Sequence, residues 1–105
     1  MDVSGIKVGD VYSWIGGYNC TKNAYVKIIE LLGKNKFKAV QLSKYQVDGD
    51  WMNGNVAPVI ESNNGEVILK AIPSYNGGVM LRDTENDYHD DYHKWDGKPD
   101  WENCD

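Results

Sequence analysis

The chain has 105 residues, which is enough for one small domain, and its 41% hydrophobic and 26% charged residues are ordinary for a globular protein. This composition argues against wholesale disorder. No apolar run approaches the roughly 20 residues that a membrane-spanning helix needs. Residues 1–10 include two acidic side chains and lack the apolar centre of a secretory signal peptide. We therefore expect a cytoplasmic protein with no membrane partner.

The net charge of −5 is unevenly distributed along the chain. Residues 1–82 carry nine basic and seven acidic side chains, whereas residues 83–105 carry nine acidic side chains and two lysines. We accordingly divide the chain into a compact β domain core, 1–82, and an acidic C-terminal segment, 83–105, partly packed on the same domain. The acidic segment disfavours direct nucleic-acid binding and would suit a basic protein partner.

Strand signals dominate the first half of the chain. Val11–Trp14 is a short run of strand-forming residues. Residues 24–32 are ambiguous, because their apolar positions fit one helical face while their β-branched residues favour a strand. The short turn Gly33–Asn35 and the alternating polar and apolar residues of Lys36–Leu42 favour a β-hairpin over both segments.

Turns rich in Asn and Gly then follow at regular spacing, as in Asn63–Gly65. Between them lie runs of strand length: Val56–Ile60, Glu66–Ile72 and Gly78–Leu81. Tyr92–Trp95 is a candidate closing strand. Short strands at this spacing predict a mainly-β fold, a small barrel or two-sheet sandwich of five to seven short antiparallel strands.

The cysteine and histidine residues give no metal-site pattern. For Cys20 and Cys104 the default in a reducing cytoplasm is two free thiols, although a disulfide would tie the C-terminal segment to the first loop. Their spacing to the histidines does not fit a zinc site. His89 and His93 are four residues apart in an Asp- and Tyr-rich segment that is a poor helix former. We expect no metal and no other cofactor.

Catalytic motifs are likewise missing from the sequence. It contains no nucleophile elbow, no phosphate-binding glycine loop and no dinucleotide fingerprint. We therefore predict a protein that is not an enzyme and has no catalytic residues. The alternative that stays open is a phosphodiesterase-like enzyme acting through His89 and His93.

The remaining feature is the density of Trp and Tyr residues beside glycines and turns. Aromatic faces stack nucleobases, cations meet phosphates, and glycine-rich loops free backbone amides as donors. The competing interpretation is a core role, because a domain with one Phe must build its core from Trp and Tyr. The predicted ligand-binding residues are Trp14, Tyr18, Thr21, Lys22, Asn23, Tyr25, Trp95 and Lys98.

Segments at both ends of the chain resemble a group of small proteins encoded by phages and mobile elements. Gly9–Trp14, continued by Gly17–Thr21 and Tyr25–Ile28, resembles the opening of that group, and Trp95–Pro99 resembles its W-D-G-K-P ending. This chain departs from the group's pattern by the inserted Ile15–Gly16 and by Lys22. The resemblance implies a phage-type origin and the cytoplasm of a bacterial host, and it leaves the chemistry open.

That origin favours a binding function, since small phage proteins without catalytic motifs often block a host defence protein or sequester its signal. The leading hypothesis is a counter-defence protein that sequesters a nucleotide immune signal, as a monomer or a homo-oligomer. The alternative is a protein–protein inhibitor of a host defence protein that uses the acidic surface of residues 83–105. In the first case the partner is a nucleotide-like small molecule, and in the second it is the defence protein.

Overall fold

A computed structural model describes residues 2–17, 20–50, 53–75, 77–85 and 91–104 of the chain. All the regular elements in these ranges are β-strands. Within the same ranges there is no helix whose length and apolarity would let it cross a membrane. The strands are β1 (Val11–Gly16), β2 (Cys20–Leu31), β3 (Lys36–Leu42), β4 (Lys44–Gly49), β5 (Asn53–Pro58), β6 (Glu66–Pro73), β7 (Val79–Asp83), β8 (Asp91–Lys94) and β9 (Asp100–Cys104).

Six of these strands close an antiparallel barrel in the order β1–β8–β7–β6–β3–β2, and β2 pairs back onto β1. The other three strands form an extension in the order β9–β5–β4, attached to the barrel where Cys20 and Thr21 of β2 pair with β9. The prediction of a small mainly-β barrel is confirmed. The barrel itself has a strand number within the predicted five to seven, and the extension adds to it.

β2 belongs to both the barrel and the extension. Its first residues pair with β9, its middle pairs with β1, and its second half pairs with β3. A register shift between Ile28 and Glu30 marks a β-bulge opposite β3. Because a bulge bends and twists a strand, it helps this 12-residue strand to curve around the barrel.

The hairpin predicted over residues 24–42 is confirmed as β2 and β3. The alternation that favoured it is an alternation of burial, since Phe37 and Ala39 point into the barrel and are buried while Lys36 is exposed. The strands predicted around residues 11, 56, 66, 78 and 92 correspond to β1, β5, β6, β7 and β8. β4 and β9 were not anticipated.

Two apolar clusters hold the molecule together. The larger fills the barrel, where Val26, Ile28, Leu69 and Leu81 are fully buried. Each such side chain contributes about 1.5–3 kcal/mol relative to an exposed position. The smaller cluster lies on the outer side of β2 and β3 and includes Val56 of β5, so it packs the extension against the barrel.

The acidic C-terminal segment supplies strands to both sheets. β8 lies between β1 and β7 and closes the barrel, and β9 joins β2 to β5. Residues 1–82 therefore lack one strand of the closed barrel. Three carboxylates of the segment have cationic or hydroxyl partners: Asp91 is bound by Arg82, Asp100 by Tyr25 and Glu102 by Lys44.

The expectation of two free thiols is wrong for Cys20, which is disulfide-bonded. Among the described residues there is no free cysteine. The β2–β9 register places Cys20 opposite Cys104, the other cysteine of the sequence. The expectation relied on the cellular compartment alone, whereas the strand pairing brings these two backbone positions together.

Candidate functional site

Asn23 lies at a gap in the strand pairing along one edge of β2. The pairing of β2 with β9 ends at Thr21, and its pairing with β3 begins only at Tyr25. On this edge of β2, the backbone N–H and carbonyl of Asn23 bond to side chains instead of to a neighbouring strand. The Asn23 backbone N–H donates to the Glu102 carboxylate at 2.7 Å, and Lys44 Nζ donates to the Asn23 carbonyl at 2.9 Å. We call Asn23, Lys44 and Glu102 the polar clasp.

The polar clasp is closed by further contacts. Lys44 Nζ lies 2.5 Å from Glu102 Oε2, and the side-chain amide of Asn23 donates to the carbonyl of Trp101 at 3.0 Å. Burial of Glu102 favours a higher pKa, but the hydrogen bonds from Lys44 and Asn23 outweigh it, so the pKa of Glu102 lies below its ordinary value. Asn23 is only 4% exposed. The structure thus places this predicted ligand residue in the attachment of the extension.

Tyr25 and Trp95 have a similar structural role. The Tyr25 hydroxyl donates to Asp100 Oδ2 at 2.6 Å, and the Trp95 ring meets Tyr25 edge-on, with 6.0 Å between centroids. Trp95 Nε1 in turn donates to the carbonyl of Lys98 at 2.9 Å. Burial, with the hydrogen bond to Asp100, raises the pKa of Tyr25. These contacts fix the connection between β8 and β9 on the barrel's outer side.

The lowered pKa of Glu102 predicts an acid-sensitive attachment. Its stabilisation is fully present above the unfolded value of about 4.5 and is lost as the pH falls through the lower folded value. In urea unfolding between pH 7 and pH 3, we expect the free energy of unfolding to decline less steeply in Glu102→Gln than in the native chain. Identical slopes for the two proteins would contradict this prediction.

Trp14 lies on the inner face of the barrel sheet, opposite to Tyr25 and Trp95, and packs against the barrel core. It pairs directly with Ala24, whose small side chain leaves room beside the indole. A Cβ added at Gly16 would collide with the Trp14 ring, so a larger residue there would force the indole to move. A cleft of about 310 Å³ lies at this end of the barrel. Its lining, which defines the mouth cleft, is Trp14, Ala24, Tyr25, Gln41, Leu42, Asn64 and Tyr92.

The mouth cleft combines aromatic rings with unused polar groups. Neither the indole N–H of Trp14 nor the side-chain amide of Gln41 has a hydrogen-bond partner among the described residues. Asn64 donates its amide to Ser43 Oγ at 2.8 Å, which leaves its carbonyl oxygen as an acceptor. A few polar groups among aromatic walls are typical of sites for planar heterocycles.

A second cleft, of about 370 Å³, lies on the outer side of β1 and β8 and brings Ser13, His93 and Asp91 together. Ser13 stands directly opposite His93 in the strand pairing. No hydrogen bond joins them, and Asp91 is held by Arg82 at 2.8 and 3.2 Å. The hydrogen-bonded chain that a Ser–His–Asp triad requires is therefore not formed. His89 lies outside the described residues, among which no group of three metal-binding side chains occurs.

The predicted ligand residues are thus divided among several places. Trp14 lines the mouth cleft with Tyr25 and the second cleft with Asn23, while Asn23, Tyr25 and Trp95 also attach the extension. Lys22 is exposed on β2 and borders a third cleft of about 200 Å³ with Lys44 and Glu102. The remaining placements are as follows: Thr21 lies opposite Asn103, Lys98 is in an exposed turn capped by Asp96, and Tyr18 is outside the described residues.

Sequence reasoning missed Gln41, Asn64 and Tyr92. For Gln41 a signal was present, because it continues the inward-facing series of Phe37 and Ala39 and is the polar member of that series. A polar residue at an inward position near a strand end indicates a barrel opening rather than its centre. Comparisons of the chain with protein-family models, curated proteins and solved structures found no match.

Proposed function

We propose that this chain is a non-enzymatic binding protein whose mouth cleft holds the planar ring of a nucleotide-like ligand. The observation that carries the proposal is the unused indole N–H of Trp14 beside the unused amide of Gln41, in one cleft of about 310 Å³. With the phage-type resemblance, the concrete version is a counter-defence protein that sequesters a nucleotide immune signal of the bacterial host.

The lining groups supply what a nucleobase needs. Trp14 offers an accessible aromatic ring, and base stacking on such a ring is worth about 1–3 kcal/mol, while the buried Tyr92 contributes to the wall of the cleft. The Gln41 amide supplies both a donor and an acceptor, and the Asn64 carbonyl oxygen supplies another acceptor. Lys22 follows on the same face of β2 as Ala24 and is exposed, so it is our candidate for meeting a ligand phosphate.

A ligand panel with three variants tests the proposal. We expect one member of a set of cyclic di- and trinucleotides and ADP-ribose derivatives to raise the melting temperature and to be recovered intact after heating. Trp14→Ala is expected to weaken its binding about a hundredfold, as measured by calorimetry, because stacking and a hydrogen bond are both lost. Gln41→Ala should weaken binding about tenfold.

The matched control removes an aromatic ring far from the mouth cleft. Tyr75 is 98% exposed in the turn between β6 and β7, so Tyr75→Ala should bind as the native chain does. Trp14→Phe, which keeps a ring and loses the N–H, should give an intermediate affinity. Unchanged binding by folded Trp14→Ala and Gln41→Ala would exclude the mouth cleft. If the ligand is recovered in cleaved form, and if His93→Ala abolishes the cleavage, the enzyme alternative is favoured.

The acidic-surface alternative is less well supported by the geometry. It needs the carboxylates of residues 83–105 to face a partner, yet Asp91, Asp100 and Glu102 are engaged by Arg82, Tyr25 and Lys44. A basic partner would have to compete with these internal contacts. We therefore propose the mouth cleft, rather than the acidic segment, as the binding site.

A further inference from the structure

The extension leaves much of one face of its sheet accessible to solvent, although Ala57 on that face is buried. In the strand pairing, Trp101 stands opposite Asn55, and Asn103 stands between Asn53 and Thr21. Directly paired residues, and residues two apart on one strand, lie on the same face of a sheet. Tyr45 joins this face because it pairs with Ala57, two residues beyond Asn55. We call the following residues the outer platform: Thr21, Tyr45, Asn53, Asn55, Trp101 and Asn103.

The two aromatic rings of the outer platform are exposed. Trp101 is 51% exposed and Tyr45 is 53% exposed, on the two outer strands of the extension. Strand spacing of about 4.8 Å and a rise of about 3.4 Å per residue put their backbone positions roughly 12 Å apart. Two exposed rings at this separation suit two units of one extended ligand better than a single small ring.

Uncharged hydrogen-bonding groups lie between and beside the rings. The side-chain amides of Asn53 and Asn103 and the hydroxyl of Thr21 form no hydrogen bond with any residue in the described ranges. Asn55 donates its amide to Asp48 Oδ1 at 3.0 Å, which leaves its carbonyl oxygen as an acceptor. The outer platform therefore offers a row of amide and hydroxyl groups that both donate and accept.

The charge of this face limits the ligand class. Among the described residues that the β4–β5–β9 pairings place on it, Asp48 is the one charged side chain. Lys44 belongs to the opposite face, where it binds Glu102. Lys22 and Lys44 reach only the edge of this surface, where they line a cleft with Tyr45 and Asn53. A carboxylate on the face itself disfavours phosphates, so a neutral ligand suits the face better than a nucleic acid does.

We propose that the outer platform binds a neutral carbohydrate chain. Trp101 and Tyr45 pack against the apolar faces of two sugar rings, since the C–H groups of a pyranose form a flat apolar surface. The amides of Asn53 and Asn103, with the Thr21 hydroxyl, exchange hydrogen bonds with the sugar hydroxyls. This site is separate from the mouth cleft, and its ligand does not depend on the function proposed there.

The test uses neutral hexasaccharides of glucose, xylose and N-acetylglucosamine, titrated into the full chain and followed by NMR. We expect at least one to shift the indole N–H signal of Trp101, identified as the signal missing from Trp101→Phe. Trp101→Ala should weaken that binding about tenfold or more, and Asn103→Ala should weaken it about threefold. Tyr75→Ala is again the control, and it should leave binding unchanged.

Three results would overturn the proposal. The first is no shift of the Trp101 signal by any hexasaccharide at millimolar concentration. The second is unchanged binding by both Asn103→Ala and Asn53→Ala. These two variants keep the Trp101 ring, so they test the proposal even if Trp101→Ala fails to fold. The third is that an oligouridylate, added as a charged probe, binds at Trp101 while the neutral sugars do not. A nucleotide bound at the mouth cleft is read from the Trp14 signal instead.

Discussion

A chain that ends at Arg82 is expected not to fold. It would lose β8, so β1 and β7 would face each other across a gap, and β2 and β5 would lose β9. Tyr12 and Leu81, both buried beside Tyr92, would be left on open strand edges. The cost exceeds the roughly 5–15 kcal/mol that a native domain has in total. Circular dichroism and proton NMR should show an unfolded chain, and cooperative thermal unfolding of this fragment would contradict the prediction.

The full-length control for this truncation removes charge and keeps every strand. Glu85 and Asp96 lie in exposed connections. The Lys98 backbone N–H donates to the Asp96 carboxylate, and Asp96→Asn keeps a side-chain oxygen that can still accept this hydrogen bond. Glu85→Gln with Asp96→Asn should therefore melt within a few degrees of the native chain. This double variant, rather than a deletion, separates the charge of the C-terminal segment from its structural role.

Removing the carboxylate of the polar clasp should be the most costly single change outside the apolar cores. Glu102→Ala leaves the backbone N–H of Asn23 and the ammonium of Lys44 without their shared partner. An unsatisfied buried donor costs about 1–3 kcal/mol, and a broken, partly buried ion pair adds to this. We expect a loss of about 2–3 kcal/mol in urea unfolding and a melting temperature lower by about 10 °C or more.

A matched ion pair on the barrel surface provides the control. Glu30 lies 3.6 Å from Lys38, and its side chain is 56% exposed, so its carboxylate is far more accessible than that of Glu102, which is 12% exposed. Glu30→Ala should therefore cost no more than about 0.5 kcal/mol. In a double-mutant cycle, Glu102→Ala and Lys44→Met should show a coupling of about 1 kcal/mol or more. If Glu102→Ala and Glu30→Ala lowered the free energy of unfolding equally, the polar clasp would be no stronger than a surface ion pair.

The barrel strands were predictable where local pattern and burial agree. The first half of β3 alternates exposed or half-buried lysines with the buried Phe37 and Ala39, and the turn before it favours the hairpin with β2. β4 has no such pattern, because all six of its residues are exposed and none marks a buried face. β9 was hidden for a different reason, since Asp100 and Glu102 gave it the composition of an acidic tail. Their carboxylates have internal partners that lie far away in the sequence.

The site was only partly predictable for the same physical reason. A polar or aromatic residue beside a turn has the same local signature whether it binds a ligand or a distant strand. Asn23 bonds to Glu102 and Trp101, and Tyr25 bonds to Asp100, all more than 70 residues away. Trp14 differs because its indole N–H has no partner in the described part of the chain. Only the fold distinguishes these three residues.

The sharing of β2 between barrel and extension has a consequence for how the chain folds. Thr21 pairs with Asn103, more than 80 residues away, while the other end of β2 pairs with its hairpin neighbour β3. The hairpin can form locally, but β9 reaches its place only after a long loop has closed. Non-local pairing of this kind is characteristic of domains that fold in milliseconds to seconds. Because neither sheet is complete without β2, barrel and extension should lose their structure in a single transition.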